Sequence, residues 1–195
     1  MGQYYVAALR GKDAKRWKCF HPSYVNESAR LTVHAFVDNP FVKGIVGMLH
    51  KRPYRVIWEG DYDEEVTELK PTNLVEDKKF ESCSSHLSMM RDQTGYPIIY
   101  NVTKNEFVDV RKCFTGTHTY VLKVFHPLPM LCAASSNGYG GGDYLYKADY
   151  GLVGKWRYDF IRAYTERGFA RVKNKYNPTE LLPHFGEQEG ALKNS

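Results

Sequence analysis

The segment 135–144 contains the residues best suited to hold a ligand. Glycines at positions 138 and 140–142 allow the backbone to adopt positive φ or to let another group approach closely. A P-loop would also need a Lys-Ser/Thr pair, and a dinucleotide fingerprint would need a glycine where Asp143 stands. Two interpretations remain: a lid whose tyrosines cover a planar ligand, or a plain connector between strands. The predicted ligand-binding residues of this segment are Asn137, Gly138, Tyr139, Gly140, Gly141, Gly142, Asp143 and Tyr144.

Asp61 and Asp143 both occur in the tripeptide Gly-Asp-Tyr, which predicts two acidic corners at strand ends. With Asp63 and His126 they have the donor atoms for Mg²⁺ or Mn²⁺, or for general acid and base catalysis. The alternative is that each Asp accepts N–H bonds within its own turn and that His126 is a core histidine. We include Asp61 and His126 among the candidate ligand-binding residues, and we predict no bound metal.

The range 155–175 is rich in Lys and Arg and interleaved with aromatic residues, which is typical of nucleic-acid-binding surfaces. Lys155, Arg157 and Arg162 are the predicted contacts to nucleic acid or phosphate. The range 61–110 is rich in Asp and Glu, whereas both flanking parts of the chain are basic. Attraction between these parts within the fold explains the same charge pattern without any partner.

The composition is that of a globular protein: 195 residues, 43% hydrophobic and 25% charged, with a formal net charge of +5. These fractions exclude a wholly disordered or collagen-like chain, and the length predicts one domain. No stretch reaches the roughly 18–20 apolar residues of a membrane helix, and the N-terminus lacks the pattern of a secretory signal. We therefore expect a cytoplasmic protein with no membrane partner.

The first half of the chain predicts a hairpin, a helix and a strand. Two β-prone runs, 4–9 and 16–20, are separated by a Gly-containing turn. Asn39 and Pro40 predict a helix start, because Asn caps helices and Pro suits the first helical position. Apolar residues then follow at helical spacing, and the range 54–59 predicts the next strand.

The second half is predicted to be rich in strands. The ranges 98–102 and 107–111 flank Thr-Lys-Asn-Glu, a turn in which Asn tolerates positive φ, and predict a hairpin. The range 118–125 predicts a further strand that ends before His-Pro. Polar and apolar residues alternate over 156–161, as in a half-buried antiparallel strand.

Strands joined by tight turns, with few helical patterns between them, predict an α+β fold. We expect a mainly antiparallel sheet with one or two helices in a single domain. The predicted domain spans residues 1–173, and the polar, Pro-containing range 174–195 is predicted to be a C-terminal tail.

Several short motifs together resemble a family of small uncharacterised proteins of bacteriophages, prophages and actinobacterial or firmicute genomes. The resemblance covers residues 1–165 approximately, and the arginine- and lysine-rich C-terminal part departs from it. The motifs are MGQYY at 1–5, NPFV at 39–42, WEGDY at 58–62, HPLPML at 126–131, NGYGGGDY at 137–144 and GKW at 154–156. The resemblance implies a phage or mobile-element accessory protein that acts in the cytoplasm of a bacterial host cell.

The sequence contains no known catalytic fingerprint, so we favour a protein that is not an enzyme and needs no cofactor. The predicted function is non-catalytic, counter-defence binding of a host defence component or of a small phosphorylated ligand. The glycine-rich segment with neighbouring aromatic and basic residues would form the site. One alternative is a metal-dependent hydrolase that uses Asp61, Asp143 and His126. The other is a nucleic-acid-binding module built on the range 155–175.

Overall fold

The fold is known from a computed structural model. It describes residues 5–15, 17–22, 35–37, 39–60, 80–82, 95–115, 126–134, 151–182 and 184–185. The strands are β1 (Tyr5–Arg10), β2 (Trp17–Phe20), β3 (Tyr54–Gly60), β4 (Phe80–Ser82), β5 (Ile98–Asn101), β6 (Glu106–Asp109), β7 (Phe114–Thr115), β8 (Phe160–Tyr164), β9 (Thr179–Glu180) and β10 (His184–Phe185). The helices are α1 (Pro40–Lys51), α2 (Pro127–Leu131) and α3 (Glu166–Tyr176), with a 3₁₀ turn at Val110–Lys112.

One eight-stranded sheet organises the molecule, in the order β4-β2-β1-β3-β8-β5-β6-β9. Its pairings are antiparallel except those of β2 with β4 and of β6 with β9. A separate pair, β7 and β10, is parallel. With two helices of 12 and 11 residues and one of five, the chain is an α+β single-domain protein, as the sequence predicts.

The first face of the sheet carries the main core. Side chains that alternate along the strands, such as Leu9, Val56 and Ala163, point to α1 and are fully buried there. The ring of His50, near the end of α1, donates from Nδ1 to the carbonyl oxygen of Ala163 at 3.2 Å. Helix α1 therefore lies against β8.

Helix α1 starts where the sequence predicts. The side-chain oxygen of Asn39 accepts hydrogen bonds from the backbone N–H groups of Phe41 at 2.8 Å and Val42 at 3.4 Å. Pro40 occupies the first helical position, where the missing N–H costs nothing. Two of the N–H groups that a helix start leaves without a backbone acceptor are thereby satisfied.

Replacing Asn39 by Ala should lower the free energy of unfolding by about 1 kcal/mol, because the N–H groups of the first turn lose their acceptor. Urea unfolding followed by circular dichroism measures the change. The Asn39→Ser variant retains a capping oxygen and should recover most of the loss. An equal loss in both variants would show that capping is not the source of the effect.

The hairpin of β5 and β6 also follows the prediction. Asn105 adopts a φ of 56° in the turn, the left-handed region that Asn tolerates better than most residues. Its side chain accepts from the Tyr100 hydroxyl at 2.9 Å and donates to the carbonyl oxygen of Tyr176 at 2.8 Å. The turn thus also holds the C-terminal end of α3.

The second face of the sheet packs against α3. Phe169 is 4% exposed and contacts Phe107 and Tyr100, with ring centroids 4.7 and 5.8 Å apart. Thr165 caps this helix by accepting from Gly168 N–H at 3.1 Å. Helix α3 was not predicted from the sequence. Phe169, Val172 and Tyr176 recur at helical spacing, but the many Lys and Arg residues around them were interpreted as a nucleic-acid-binding stretch instead.

Three predictions concern the C-terminal half of the chain. The strand predicted at 156–161 is wrong in its bounds: residues 151–158 form turns, and the strand begins at Phe160. Tyr158 has a φ of 64°, which a strand residue cannot adopt, and this breaks the alternation. The range 174–195, predicted as a tail, contains the end of α3 and the short strands β9 and β10. The strand predicted at 118–125 lies outside the described residues.

Within the described ranges, no helix combines the length and the apolar character needed to cross a membrane.

Candidate functional site

A cleft of about 340 Å³ lies between α1, the start of β5, the end of β6 and the start of α2. Its volume falls in the range of about 300–1,000 Å³ that small-molecule sites occupy. We name it the His126 cleft, after the one predicted site residue that lines it. It is lined by Val37, Val42, Lys43, Val46, Gly95, Tyr96, Pro97, Val110, Arg111 and His126.

His126 lines the cleft and caps α2. Its Nδ1 accepts a hydrogen bond from the backbone N–H of Leu128 at 3.1 Å, so the ring proton is on Nε2. The backbone N–H of His126 donates to the carbonyl oxygen of Ala35 at 2.8 Å. Burial lowers the pKa of His126 to about 3. The imidazole is therefore neutral at physiological pH, and its basic nitrogen is already engaged.

An aromatic pair forms one side of the cleft. Tyr96 stacks on His50 of α1, with ring centroids 3.8 Å apart and planes inclined by 17°. Valine side chains from α1 and from the end of β6 provide most of the remaining wall. This combination of a held aromatic ring and branched aliphatic groups suits the flat, apolar part of a ligand.

Two cationic residues, Lys43 and Arg111, also line the cleft. Arg111 donates from Nε and Nη2 to the two carboxylate oxygens of Asp109, at 2.9 and 2.7 Å, and also to Glu166 at 2.7 Å. The hydrogen bond from Arg111 holds the pKa of Asp109 below its usual value, and the same contacts raise the pKa of Arg111. These carboxylates hold the guanidinium group in a fixed position beside the cleft.

Two buried thiols of the core, Cys113 and Cys132, are poorly suited to nucleophilic catalysis. Burial raises the pKa of Cys113 to about 12 and also raises that of Cys132 well above its usual value. Only the thiolate form is a good nucleophile. Both residues are free cysteines and act as core side chains.

The predicted site residues are only partly within the described structure. The glycine-rich segment, with Asn137, Gly138, Tyr139, Gly140, Gly141, Gly142, Asp143 and Tyr144, lies outside the described residues, as does Asp61. Their proximity to His126 therefore stays a prediction. For His126 itself, the low pKa opposes the role of general base that the hydrolase alternative assigns to it. The hydrogen bond from Leu128 N–H to Nδ1 opposes the role of metal ligand, because it engages Nδ1 and keeps the ring proton on Nε2.

The predicted nucleic-acid contacts occupy different surroundings. Lys155 pairs with Glu106 at 3.0 Å, and Arg157 donates from Nη1 to the carbonyl oxygen of Ala134 at 2.6 Å. The guanidinium of Arg162 lies 5.0 Å from the centroid of the Tyr164 ring. Lys155 and Arg157 belong to the turns before β8, whereas Arg162 lies within β8.

Most of the residues that line the cleft were not predicted from the sequence. Lys43, Tyr96 and Arg111 were not singled out, because they come from segments that are distant in the chain and carry no shared motif. The one local signal is the His-Pro pair at 126–127, which marks a helix start. Within the described residues, no group of three or more His, Cys, Asp or Glu side chains is placed to hold a metal ion.

A scan against models of known protein families finds no match, and comparisons with curated protein sequences and with solved structures return none either. The resemblance to phage proteins consequently stays a prediction.

Proposed function

We propose that this chain is a non-catalytic accessory protein of a bacteriophage or mobile element that binds a small phosphorylated molecule in the His126 cleft. The observation that carries the proposal is the composition of the cleft: an apolar pocket of about 340 Å³ that also contains two cationic side chains. Sequestering such a molecule from a host defence system is the corresponding biological role.

The apolar part of the cleft supports a planar ligand group. Val42 and Val46 are buried on α1, and Tyr96 is held by its stack on His50. A purine-sized ring buried there would remove apolar surface from water, which stabilises binding by about 25 cal/mol per Å² of surface before the cost of association.

The cationic part of the cleft supports an anionic group on the same ligand. Arg111 is held by Asp109 and Glu166, and its exposed side chain has further N–H donors than those contacts use. Because two carboxylates already pair with Arg111, its contribution to a phosphate is these N–H donors. Lys43 of α1 supplies the positive charge. A phosphate accepts from several such donors at once.

The chemistry of His126 supports binding without turnover. Its neutral ring has Nδ1 committed to Leu128, so within the cleft it offers a donor and no basic nitrogen. Asp109 is ionised and paired with Arg111, which makes it a poor proton donor.

Calorimetric titration with adenosine 5′-monophosphate and with adenosine tests both parts of the site. The monophosphate should bind more tightly, and Lys43→Gln should weaken its binding by about tenfold, as expected for a hydrogen bond to a charged group. Adenosine binding should be unchanged in the same variant, because it lacks the anionic group. The matched control is Lys51→Gln, which removes an exposed lysine at the other end of α1. It should change the affinity for neither the monophosphate nor adenosine.

Three results would contradict the proposal: no binding of either probe at millimolar concentration, equal effects of the two lysine variants, or hydrolysis of the monophosphate. The Val46→Trp variant provides a further check, because a bulky side chain in the wall should block both probes. Its melting temperature must stay close to that of the original chain, so that blocked binding is not confused with unfolding.

A further inference from the structure

The sheet face that carries α3 has arginines at neighbouring strand positions. Arg10 of β1 lies opposite Arg55 of β3, and Arg55 lies opposite Phe160 of β8. Residues opposite each other in register project from the same face, as do residues two apart on one strand, so Arg162 shares this face. Like charges directly opposite each other destabilise a sheet. The two side chains reduce this repulsion through other contacts. Arg10 lies 4.9 Å from the centroid of the Trp17 ring, and Arg55 donates to the carbonyl oxygen of Tyr158 at 2.9 Å. These contacts position both groups without supplying a negative charge.

Helix α3 lies on this same face. Phe169 packs on Tyr100, which is directly opposite Arg162 in the register of β5 and β8. The sheet arginines and the outer surface of α3 therefore belong to the same side of the molecule.

The outer surface of α3 carries a row of cations. Arg167, Arg171 and Lys175 are all exposed and are spaced four residues apart. Because a helix rises about 1.5 Å per residue, successive charges in this row are separated by about 6 Å along the axis. We define the basic face as the set Arg10, Arg55, Arg162, Arg167, Arg171 and Lys175.

Within the described part of the chain, no member of the basic face forms an ion pair. Nearby carboxylates pair with other cations instead: Asp159 with Lys104 at 3.1 Å, and Glu180 with Lys112 at 2.7 Å. Nε of Arg162 is buried, so this side chain presents only its terminal N–H groups to a phosphate. The uncompensated charge thus accumulates on one side, where an external polyanion can approach it.

We propose that the basic face binds the phosphate backbone of double-stranded DNA. A duplex carries one negative charge per about 1.7 Å of its axis, and a straight row of Lys and Arg can neutralise several of these charges. The row on α3 provides this geometry, and the sheet arginines extend it. A membrane surface is disfavoured, because the apolar side of α3 is used internally: Phe169 is 4% exposed and cannot enter a bilayer.

Fluorescence anisotropy with a labelled 20-base-pair duplex, measured between 50 and 200 mM NaCl, tests this proposal. The double variant Arg167→Gln/Arg171→Gln should weaken binding at 50 mM salt by about tenfold or more. When the logarithm of its binding constant is plotted against the logarithm of the salt concentration, the slope should be less negative by about 1.8, since each lost phosphate contact contributes about 0.9. Arg162→Gln should make the slope shallower by about 0.9.

The control is Lys51→Gln/Arg52→Gln, which removes the same net charge from exposed positions at the end of α1, on the opposite face. It should leave the slope unchanged. Equal losses in the two double variants, or no salt-dependent DNA binding at all, would overturn the proposal. So would equal or tighter binding to a single-stranded oligonucleotide, to polyglutamate or to anionic lipid vesicles. Circular dichroism of each variant must match that of the original chain.

Discussion

Replacing Trp156 by Ala should lower the free energy of unfolding by about 3–5 kcal/mol, a large part of the roughly 5–15 kcal/mol that stabilises a typical domain. The side chain is fully buried, and its indole N–H donates to a carboxylate oxygen of Glu106 at 2.7 Å. Its backbone N–H donates to the carbonyl oxygen of Leu131 at 2.6 Å. Trp156 thereby joins the turns before β8 to both α2 and β6, and truncation leaves a cavity at this junction.

Two further variants separate the ring from its hydrogen bond. Trp156→Phe retains most of the apolar volume but loses the N–H donor, so we expect about half of the loss or less. Tyr176→Ala removes an aromatic ring that is 52% exposed, and its effect should stay within about 0.5 kcal/mol. Urea unfolding at neutral pH measures all three. A small effect of Trp156→Ala, similar to that of Tyr176→Ala, would refute the structural role of this residue.

Local signals in the sequence identify much of the sheet and the first helix. Asn39 and Pro40 define the start of α1 through capping chemistry that depends on adjacent residues alone. The β5–β6 hairpin is likewise local, because Asn105 can adopt the positive φ that its turn requires. The parallel pairing of β6 with β9 joins segments far apart in the chain and leaves no local pattern.

The candidate site was harder to predict, for a physical reason. The His126 cleft forms where α1, the segment before β5, the end of β6 and the start of α2 meet, so only the tertiary structure brings Lys43, Tyr96 and Arg111 together. The sequence shows that α3 is basic, but it does not show which of the Lys and Arg side chains lie exposed on one surface. Lys155 pairs with Glu106, whereas Arg167 and Arg171 lie exposed on α3, a helix that was not predicted.

These two regions place binding chemistry on opposite faces of one sheet. The cleft uses α1 and the first face, whereas the basic face uses α3 and the second. The two regions meet at one contact, because Arg111 of the cleft pairs with Glu166 at the start of α3 at 2.7 Å. Substitutions that share a partner can couple, so the Lys43 and Arg167/Arg171 variants should each be measured in both binding experiments.

Lowering the pH from about 7.5 to about 5 should destabilise the chain by about 2 kcal/mol through His126 alone. Burial lowers the pKa of His126 from 6.5 to about 3 in the folded chain. The unfolded chain therefore takes up a proton first as the pH falls, and folded stability decreases between about pH 6.5 and pH 3. Above pH 6.5 both states are neutral at this residue, so its contribution to stability no longer changes with pH.

The Asn variant of this histidine isolates the effect. In the His126→Asn variant, the amide oxygen can still accept from Leu128 N–H, because Asn is a favourable helix cap. The amide does not titrate. The smaller side chain lowers stability by the same amount at every pH, so the difference in slope between the two proteins reports the titration. Urea unfolding at several pH values should show a flatter profile for the variant. Parallel profiles would mean that His126 takes up its proton without unfolding, and the buried, neutral cap described above would then be wrong.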